Sequence, residues 1–386
     1  MSENRESTVR GSGHGGTVGS TGDGVFRNDA NRLGLDYATE AGLLPKPPVP
    51  IIDIHAHING RAAAAVWARA ADLYAIERVY TMSRFQDAEA VRETLGDRVR
   101  FIAFPDWSNA DKESIHRGAY LDIIRQYRER FDASVVKFWS GPALVDHAAG
   151  DPADLIEFDS YWRVKQAELA TDLGMMFMVH IADPDTWFRA KYTDVARYRR
   201  KRDHYASFER MLDRFSQPWI AAHMGGSAED LDFLDGLLER HDNLYLDTSA
   251  TKWVVRALGD HPGERVVRFF SRWRGRVLFG SDIVTMDDHL SVEKSNTISV
   301  KSEQASNETE AFDLYASRYW ALRTMFETGY DGESPVVDPD LHMLEPDRFD
   351  EKAAPRLPGL ALPRDLLADL YRTTAESVVE AFAAAR

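Results

Sequence analysis

The chain reads as an α/β protein of the (β/α)8 TIM-barrel class, with a disordered N-terminal tail ahead of the barrel and a helical extension behind it. Two observations predict this. Eight short apolar, β-branched runs recur between residues 51 and 282, most of them nearly continuously apolar, as strands covered on both faces must be. Polar loops and amphipathic helical stretches separate them at the spacing of βα units. A doubly wound open sheet is the runner-up, but no Gly-rich fingerprint follows the first run.

The elements follow in order. Residues 1–25, beginning MSENRESTVRGSGHGG, are Gly/Ser/Thr-rich and cannot bury enough surface to order themselves, so they are expected to be a mobile tail with His14 solvated. That stretch lacks the apolar core of a signal peptide, and no run elsewhere is long enough to span a membrane, so a cytoplasmic location is expected. The strand runs are 51–57 (IIDIHAH), 78–82, 99–104, 134–139 (SVVKFW), 175–180 (MMFMVH), 219–223 (WIAAH), 244–249 (LYLDTS) and 277–282 (VLFGSD). Helical periodicity marks 120–131, 161–173, 205–215, 228–240 and 262–273 between them. Residues 291–310 read as the loop after strand eight, 311–328 as a helix, 330–363 as a Pro-rich connection and 364–384 as a last helix. At roughly 150 residues per domain the length suggests two or three domains. No second core of domain size is visible, so the expected organisation is a tail (1–25), one barrel (26–330) and a C-terminal helical extension packed on it (331–386).

Composition narrows the chemistry. Lys plus Arg number 47 against 62 for Asp plus Glu, a net charge of −15, which argues against nucleic acid or an anionic membrane as partner. Cysteine is absent, which excludes disulfides, thiolate-bound zinc, iron–sulfur clusters and a thiol nucleophile. A metal would have to be held by His, Asp, Glu or modified Lys, and the 12 histidines become the residues to follow.

Histidines end three of the strands. His55 and His57, at i and i+2, project to the same face of strand one, into the barrel mouth. His180 closes strand five, His223 closes strand six and Asp282 closes strand eight. Any one of these has an ordinary structural role available, as a hydrogen-bonded core histidine or a helix cap. Five ligand-type residues at the strand ends where barrel enzymes carry their chemistry are hard to obtain by chance. They suit one divalent metal with an open position, Zn2+ first among candidates for an N/O donor set.

On IIDIHAH, MVH, AAHMGG and FGSD the sequence resembles the amidohydrolase superfamily over about residues 48–330. It looks most like the amidohydrolase-related branch that includes aminocarboxymuconate-semialdehyde decarboxylase. The resemblance implies that His55, His57, His180 and Asp282 bind the metal. It also implies that His223 stays off the metal as a general acid/base. Asp282, anchored near the metal, would in addition accept the proton of a metal-bound water. Branch members hydrolyse, decarboxylate or hydrate small organic acids and lactones. Lys137 has three readings: a carboxylated lysine bridging two metals, an ammonium holding a substrate carboxylate, or a side chain snorkelling outward.

Around this set, Asp53 shares the face of His55 and is a candidate to orient it or to bond at the barrel floor. Arg84, Trp107, Trp139 and Asp183 are candidate substrate contacts, Arg84 as a bidentate carboxylate clamp and the tryptophans as pocket walls. Asp106, Asp247, Thr248 and Lys252 also lie at strand ends. A basic insert, 189–214, is read as an electrostatic attractor of anionic substrate or as a solvated face balanced by acidic neighbours, and its aromatics suggest a lid or a homodimer contact.

The expected function is a metal-dependent hydrolase that turns an activated water on a small ester, lactone or amide of a carboxylic acid. The alternative is a non-oxidative decarboxylase, a lyase, of an aromatic or muconate-type acid using the same site. A non-catalytic scaffold is disfavoured by retention of all five site residues.

Overall fold

The computed structural model describes residues 30–106, 109–148, 153–294 and 300–385. The N-terminal tail and Trp107 therefore lie outside the described residues. Strands β1 (Ile51–Ile58), β2 (Ile76–Thr81), β3 (Val99–Ala103), β4 (Val135–Ser140), β5 (Met176–Ile181), β6 (Trp219–Ala221), β7 (Leu244–Asp247), β8 (Val277–Leu278) and β9 (Ile283–Thr285) form one sheet. Neighbours are parallel throughout, in the order β8-β7-β6-β5-β4-β3-β2-β1-β9. Because β8 pairs with β7 and β9 pairs with β1, the two short strands are halves of one stave, and the sheet closes into an eight-stave TIM barrel. The bonds Ile54 N–H to Phe279 O (3.0 Å) and Asp282 N–H to His55 O (2.7 Å) complete the closure across the break.

The strands are buried on both faces, as their continuous apolar runs require. Phe138, Phe177 and Trp219 pack between sheet and helices, with Phe177 stacked on Trp219 at 4.2 Å between ring centroids. The eighth outer helix is Glu308–Glu327, whose Tyr319 hydroxyl accepts from Trp67 Nε1 at 3.0 Å. Downstream, a two-stranded antiparallel pair (Asp331–Glu333 with Arg356–Pro358) and a helical run from Arg364 share the barrel's hydrophobic core through Leu357, Leu366, Leu370, Tyr371 and Val379.

Backbone strain concentrates at the C-terminal mouth. Ala182, His223, Met224, Ala250 and Asp282 follow β5, β6, β7 and β8 with φ between 52° and 59°. Four successive residues, His223 to Gly226, are left-handed, so β6 ends in one left-handed turn closed by Gly226 N–H to His223 O at 2.9 Å. For residues with a Cβ this conformation costs on the order of 1–2 kcal/mol each, and the two glycines relieve half of the turn. A Cβ on Gly226 would collide with the carbonyl oxygen of Ile181. Gly226→Ala is therefore expected to lose about 2 kcal/mol or more of stability. A urea midpoint equal to the parent's would contradict this account of the turn.

Candidate active site

His55 and His57 reach the mouth through the two-residue repeat of β1. Their partner Asp282 is delivered by the break in strand eight. Asp53, wholly buried, organises that break: its Oδ1 accepts from the N–H groups of His55 (3.1 Å) and Ser281 (3.1 Å). Its Oδ2 accepts from Ser281 Oγ (2.5 Å) and Tyr319 Oη (2.9 Å). Burial pushes the Asp53 carboxyl up to about 7, against the pull of these four donors. Asp53 thus holds backbone, not an imidazole ring, and the left-handed Asp282 next to Ser281 turns its carboxylate towards β1.

There His57 Nε2 and His55 Nε2 lie 3.2 and 3.5 Å from Asp282 Oδ1. Tetrahedral coordination with ligand bonds of about 2.0–2.1 Å places donor atoms roughly 3.3–3.4 Å apart, so the three donors fit one divalent ion. His55, His57 and Asp282 are the residues that would hold it, with coordination positions left over.

The ring of His55 is fixed from behind. Its Nδ1–H donates to Asp247 Oδ2 at 2.8 Å, which makes Nε2 the lone-pair nitrogen facing the cluster. Asp247 Oδ1 accepts from the N–H groups of His223 (2.8 Å) and Ser249 (3.0 Å) and from the Ser249 hydroxyl. Ser249 Oγ in turn accepts from His223 Nδ1 at 2.7 Å, so the free nitrogen of His223 is Nε2. Burial alone would raise Asp247, but His55, His223 and Lys137 hold it well below the usual carboxylate range. Asp282 is likewise held low, burial being outweighed by His57, His223, His55 and Lys301.

The imidazoles shift the other way. Burial lowers His55 and takes His57 down to about 4, and it depresses His223 well below its ordinary value. Lys137 lies inside the barrel, 3% exposed, with Nζ 3.4 Å from His55 Nε2. Burial brings it down to about 8, opposed by Asp247 and Asp282. The outward-snorkelling reading of Lys137 is thereby removed.

His180 is brought to the mouth, its ring 5.0 Å from that of His223, but its Nε2 bonds to Asp183 Oδ1 at 3.0 Å. Asp183, 2% exposed, also accepts from Tyr192 Oη at 2.8 Å. The structure therefore assembles three of the four expected ligands and gives His180 to Asp183. Trp139 stands 6.0 Å from His180 between ring centroids, and Trp253 stands 5.8 Å from His223 and 6.4 Å from His180. Phe104 closes the side of His57 at 6.3 Å. Arg84 caps the helix Phe85–Leu95, its N–H bound to Asn59 Oδ1 at 2.8 Å, and its guanidinium makes no ion pair among the described residues.

Six of the nine basic side chains of the insert are neutralised locally. Arg197 pairs with Asp146, Arg199 with Glu157, Lys201 with Asp185, Arg202 with Asp230, Arg210 with Asp159 and Arg214 with Glu168. Its aromatic residues reach the site through Tyr192, whose bond to Asp183 the sequence reading did not foresee. Ser249 and Trp253 were also missed, and Asp247 was noted only as a strand end. The i, i+2 spacing that drew attention to His55 and His57 applies equally to Asp247 and Ser249, and was the available signal.

No protein-family model matches the chain, and no curated protein matches it. Among solved structures it is similar to 2,6-dihydroxybenzoate decarboxylase from Rhizobium, at 11% identity and TM-score 0.38 over 69% of this chain and 98% of that one. A probable 2-pyrone-4,6-dicarboxylic acid hydrolase from Acinetobacter baumannii is similar at 10% identity and TM-score 0.36, over 77% and 99% of the two chains. 5-Carboxyvanillate decarboxylase from Novosphingobium aromaticivorans, complexed with manganese, is similar at 11% identity and TM-score 0.39, over 86% and 96%. No helix of the described residues is long and apolar enough to cross a membrane.

Two outcomes are expected. In Asp247→Asn the amide must point its NH2 edge at N–H donors, so divalent-metal affinity should fall about 10- to 100-fold, read by equilibrium dialysis against Zn2+. Separately, His57 and the buried His289 are both depressed from 6.5 to about 4, so the unfolded chain takes up protons first as pH falls. The contribution of these two imidazoles to the stability of the chelator-treated protein should be fully present above pH 6.5 and decline as pH drops from there towards 4, with Asp53, raised to about 7, offsetting part of the loss. A flat urea midpoint across that window would count against neutral, buried imidazoles.

Proposed function

We propose that the barrel mouth is the active site of a metal-dependent hydrolase of the amidohydrolase superfamily, acting on a small ester, lactone or amide of a carboxylic acid. The observation that carries this reading is the convergence of His55, His57 and Asp282 at 3.2–3.5 Å beside an imidazole, His223, held with one nitrogen free. A divalent ion, with Zn2+ the first candidate for two nitrogens and a carboxylate, would polarise a carbonyl and make a water acidic near neutral pH.

The chain supplies the rest. His223, neutral through burial, can accept a proton at Nε2 while Ser249 and Asp247 steady the charge that develops on its ring. It can then return that proton to the leaving oxygen or nitrogen. Asp282, held as a carboxylate, offers a second base. Lys137 offers a cation 3.4 Å from His55 for an anionic substrate group, and with its depressed ammonium it remains the candidate for carboxylation should two ions be bound. His180 would complete the ligand set on exchanging Asp183 for metal. Two bases, His223 and Asp282, stand ready to take a proton from water, which favours hydrolysis, and Lys137, brought down to about 8, is the proton donor beside them.

A carboxy-lyase acting on an aromatic acid is the second reading, and the observation favouring it is the pair of indoles, Trp139 and Trp253, beside His180. Substrate panels of lactones, esters and carboxylated phenols, read for both acid release and carbon dioxide, separate the two; carbon dioxide without hydrolysis refutes the hydrolase. His223→Ala is expected to keep its metal and lose about 10²- to 10⁴-fold in turnover. His180→Ala tests the fourth ligand: metal content falls if His180 joins the set and stays unchanged if it remains with Asp183.

A further inference from the structure

We propose that Leu370, in a π-turn of the C-terminal helix, is a positioning residue for Asp282, its backbone carbonyl taking over one rung of the barrel wall; this role rests on the metal site assigned above. The helix stays right-handed from Arg364 to Ala384, but two of its turns, Asp369–Thr373 and Glu376–Glu380, are π-turns. In the first, the N–H of Thr374 reaches back to Asp369 O, one residue further than in an α-helix. The carbonyl it passes over is that of Leu370. Released from its helical partner, Leu370 O accepts from the N–H of Phe279 in strand eight at 3.0 Å.

Phe279 follows β8 directly, is fully buried and lies three residues ahead of Asp282. Its carbonyl accepts from Ile54 N–H on β1. In a regular parallel ladder the same residue would donate its N–H to the carbonyl of Ile52, two residues back along β1. The helix supplies that acceptor instead, and a paired ladder with β1 resumes only at Ile283. Tyr371 meets the Phe279 ring edge to face at 5.4 Å and is tied by its hydroxyl to Glu327 at 2.8 Å. Arg372 donates to Pro50 O (3.4 Å) ahead of β1 and to Glu77 (3.0 Å) on β2, so the helix is seated at the foot of these strands. Gly280 has little room to adjust, since a Cβ there would stand 3.0 Å from the Cβ of His55. Asp53 grips Ser281 from inside the barrel and the helix grips Phe279 from outside, and between them they fix the path by which Asp282 leaves the strand. A buried N–H without an acceptor is costly, so Phe279 would move to find another if Leu370 O turned away.

The test uses the full-length protein, with Zn2+ for affinity and Co2+, whose visible bands report ligand number and geometry, as spectroscopic probe. A π-turn holds one residue more than an α-turn, so deleting the exposed Thr373 restores α-helical bonding and leaves the flanking faces in place. This variant is expected to bind Zn2+ about 10- to 100-fold more weakly, with altered Co2+ bands. Tyr371→Phe keeps the π-turn and loses the bond to Glu327. Its urea midpoint should fall while Zn2+ affinity and Co2+ bands stay those of the parent, which separates positioning from support. The unmutated protein gives a second readout, which decides alone if the deletion does not fold. If Leu370 O and the metal both act on Asp282, metal binding must in turn tighten the Leu370–Phe279 bond. Zn2+ should therefore slow hydrogen exchange at the Phe279 amide at least about 10-fold more than at the amides of β3, which carries no ligand. A folded deletion variant with the parent's affinity and bands, or equal slowing at Phe279 and β3, overturns the proposal. A parent that takes up no divalent ion refutes the site assignment as well, whereas one that binds Zn2+ and gives either of those results loses only the role of the helix.

Discussion

The carboxylate of Asp247 is the point on which the mouth of this barrel depends. It is fully buried and receives the ring N–H of His55, the backbone N–H of His223 and Ser249, and the Ser249 hydroxyl. An unpaired buried charge costs several kcal/mol, and these four donors offset that cost while each fixes something the site needs. The bond to His55 sets its tautomer. The relay through Ser249 sets that of His223. The backbone bond from His223 supports the left-handed turn that aims its ring inward. One anion thereby specifies two imidazoles whose centroids are 5.0 Å apart.

A second buried carboxylate, Asp53, does the corresponding work for the third group. By gripping Ser281 and the N–H of His55 together, it interrupts strand eight where Asp282 must leave the sheet plane. Its remaining donor is Tyr319 on the eighth outer helix, itself bonded to Trp67. The placement of Asp282 is thus tied to helix packing two layers from the mouth. A strictly regular eighth strand would keep its ladder hydrogen bonds and lose the carboxylate.

Much of this was legible in the sequence, and the limits have physical causes. The eight strands show in the runs because parallel strands buried on both faces must be apolar throughout, and only their ends shift by a residue or two. The break in strand eight was not visible, since FGSD reads as a strand end whether or not pairing resumes at Ile283. The ligand-type residues showed because ionisable groups at the ends of apolar strands are conspicuous. Their partners were hidden for the opposite reason. Asp183 follows His180 by three residues across a left-handed Ala182, a backbone state that composition does not announce. Asp340 lies 87 residues from Trp253, within a Pro-rich stretch that has no periodicity of its own. Sequence separation conceals a long-range acceptor even where its donor is plain.

The electrostatics of the mouth constrain which chemistry it can perform. Burial acts on every titratable group in the same sense, disfavouring charge. Yet Asp247 and Asp282 remain ionised because imidazoles and Lys137 surround them, and the imidazoles stay neutral because they are buried beside one another and beside that lysine. Lys137 is the member most easily altered. Its ammonium donates to the same His55 nitrogen that a metal would need, and no lone pair serves both. Loading the site therefore displaces that hydrogen bond. It also sets a second cation beside Lys137, which drives the lysine either to release its proton or to meet an anion. An anionic substrate satisfies the second requirement, so metal occupancy and affinity for a carboxylate should rise together, each favouring the other through one side chain.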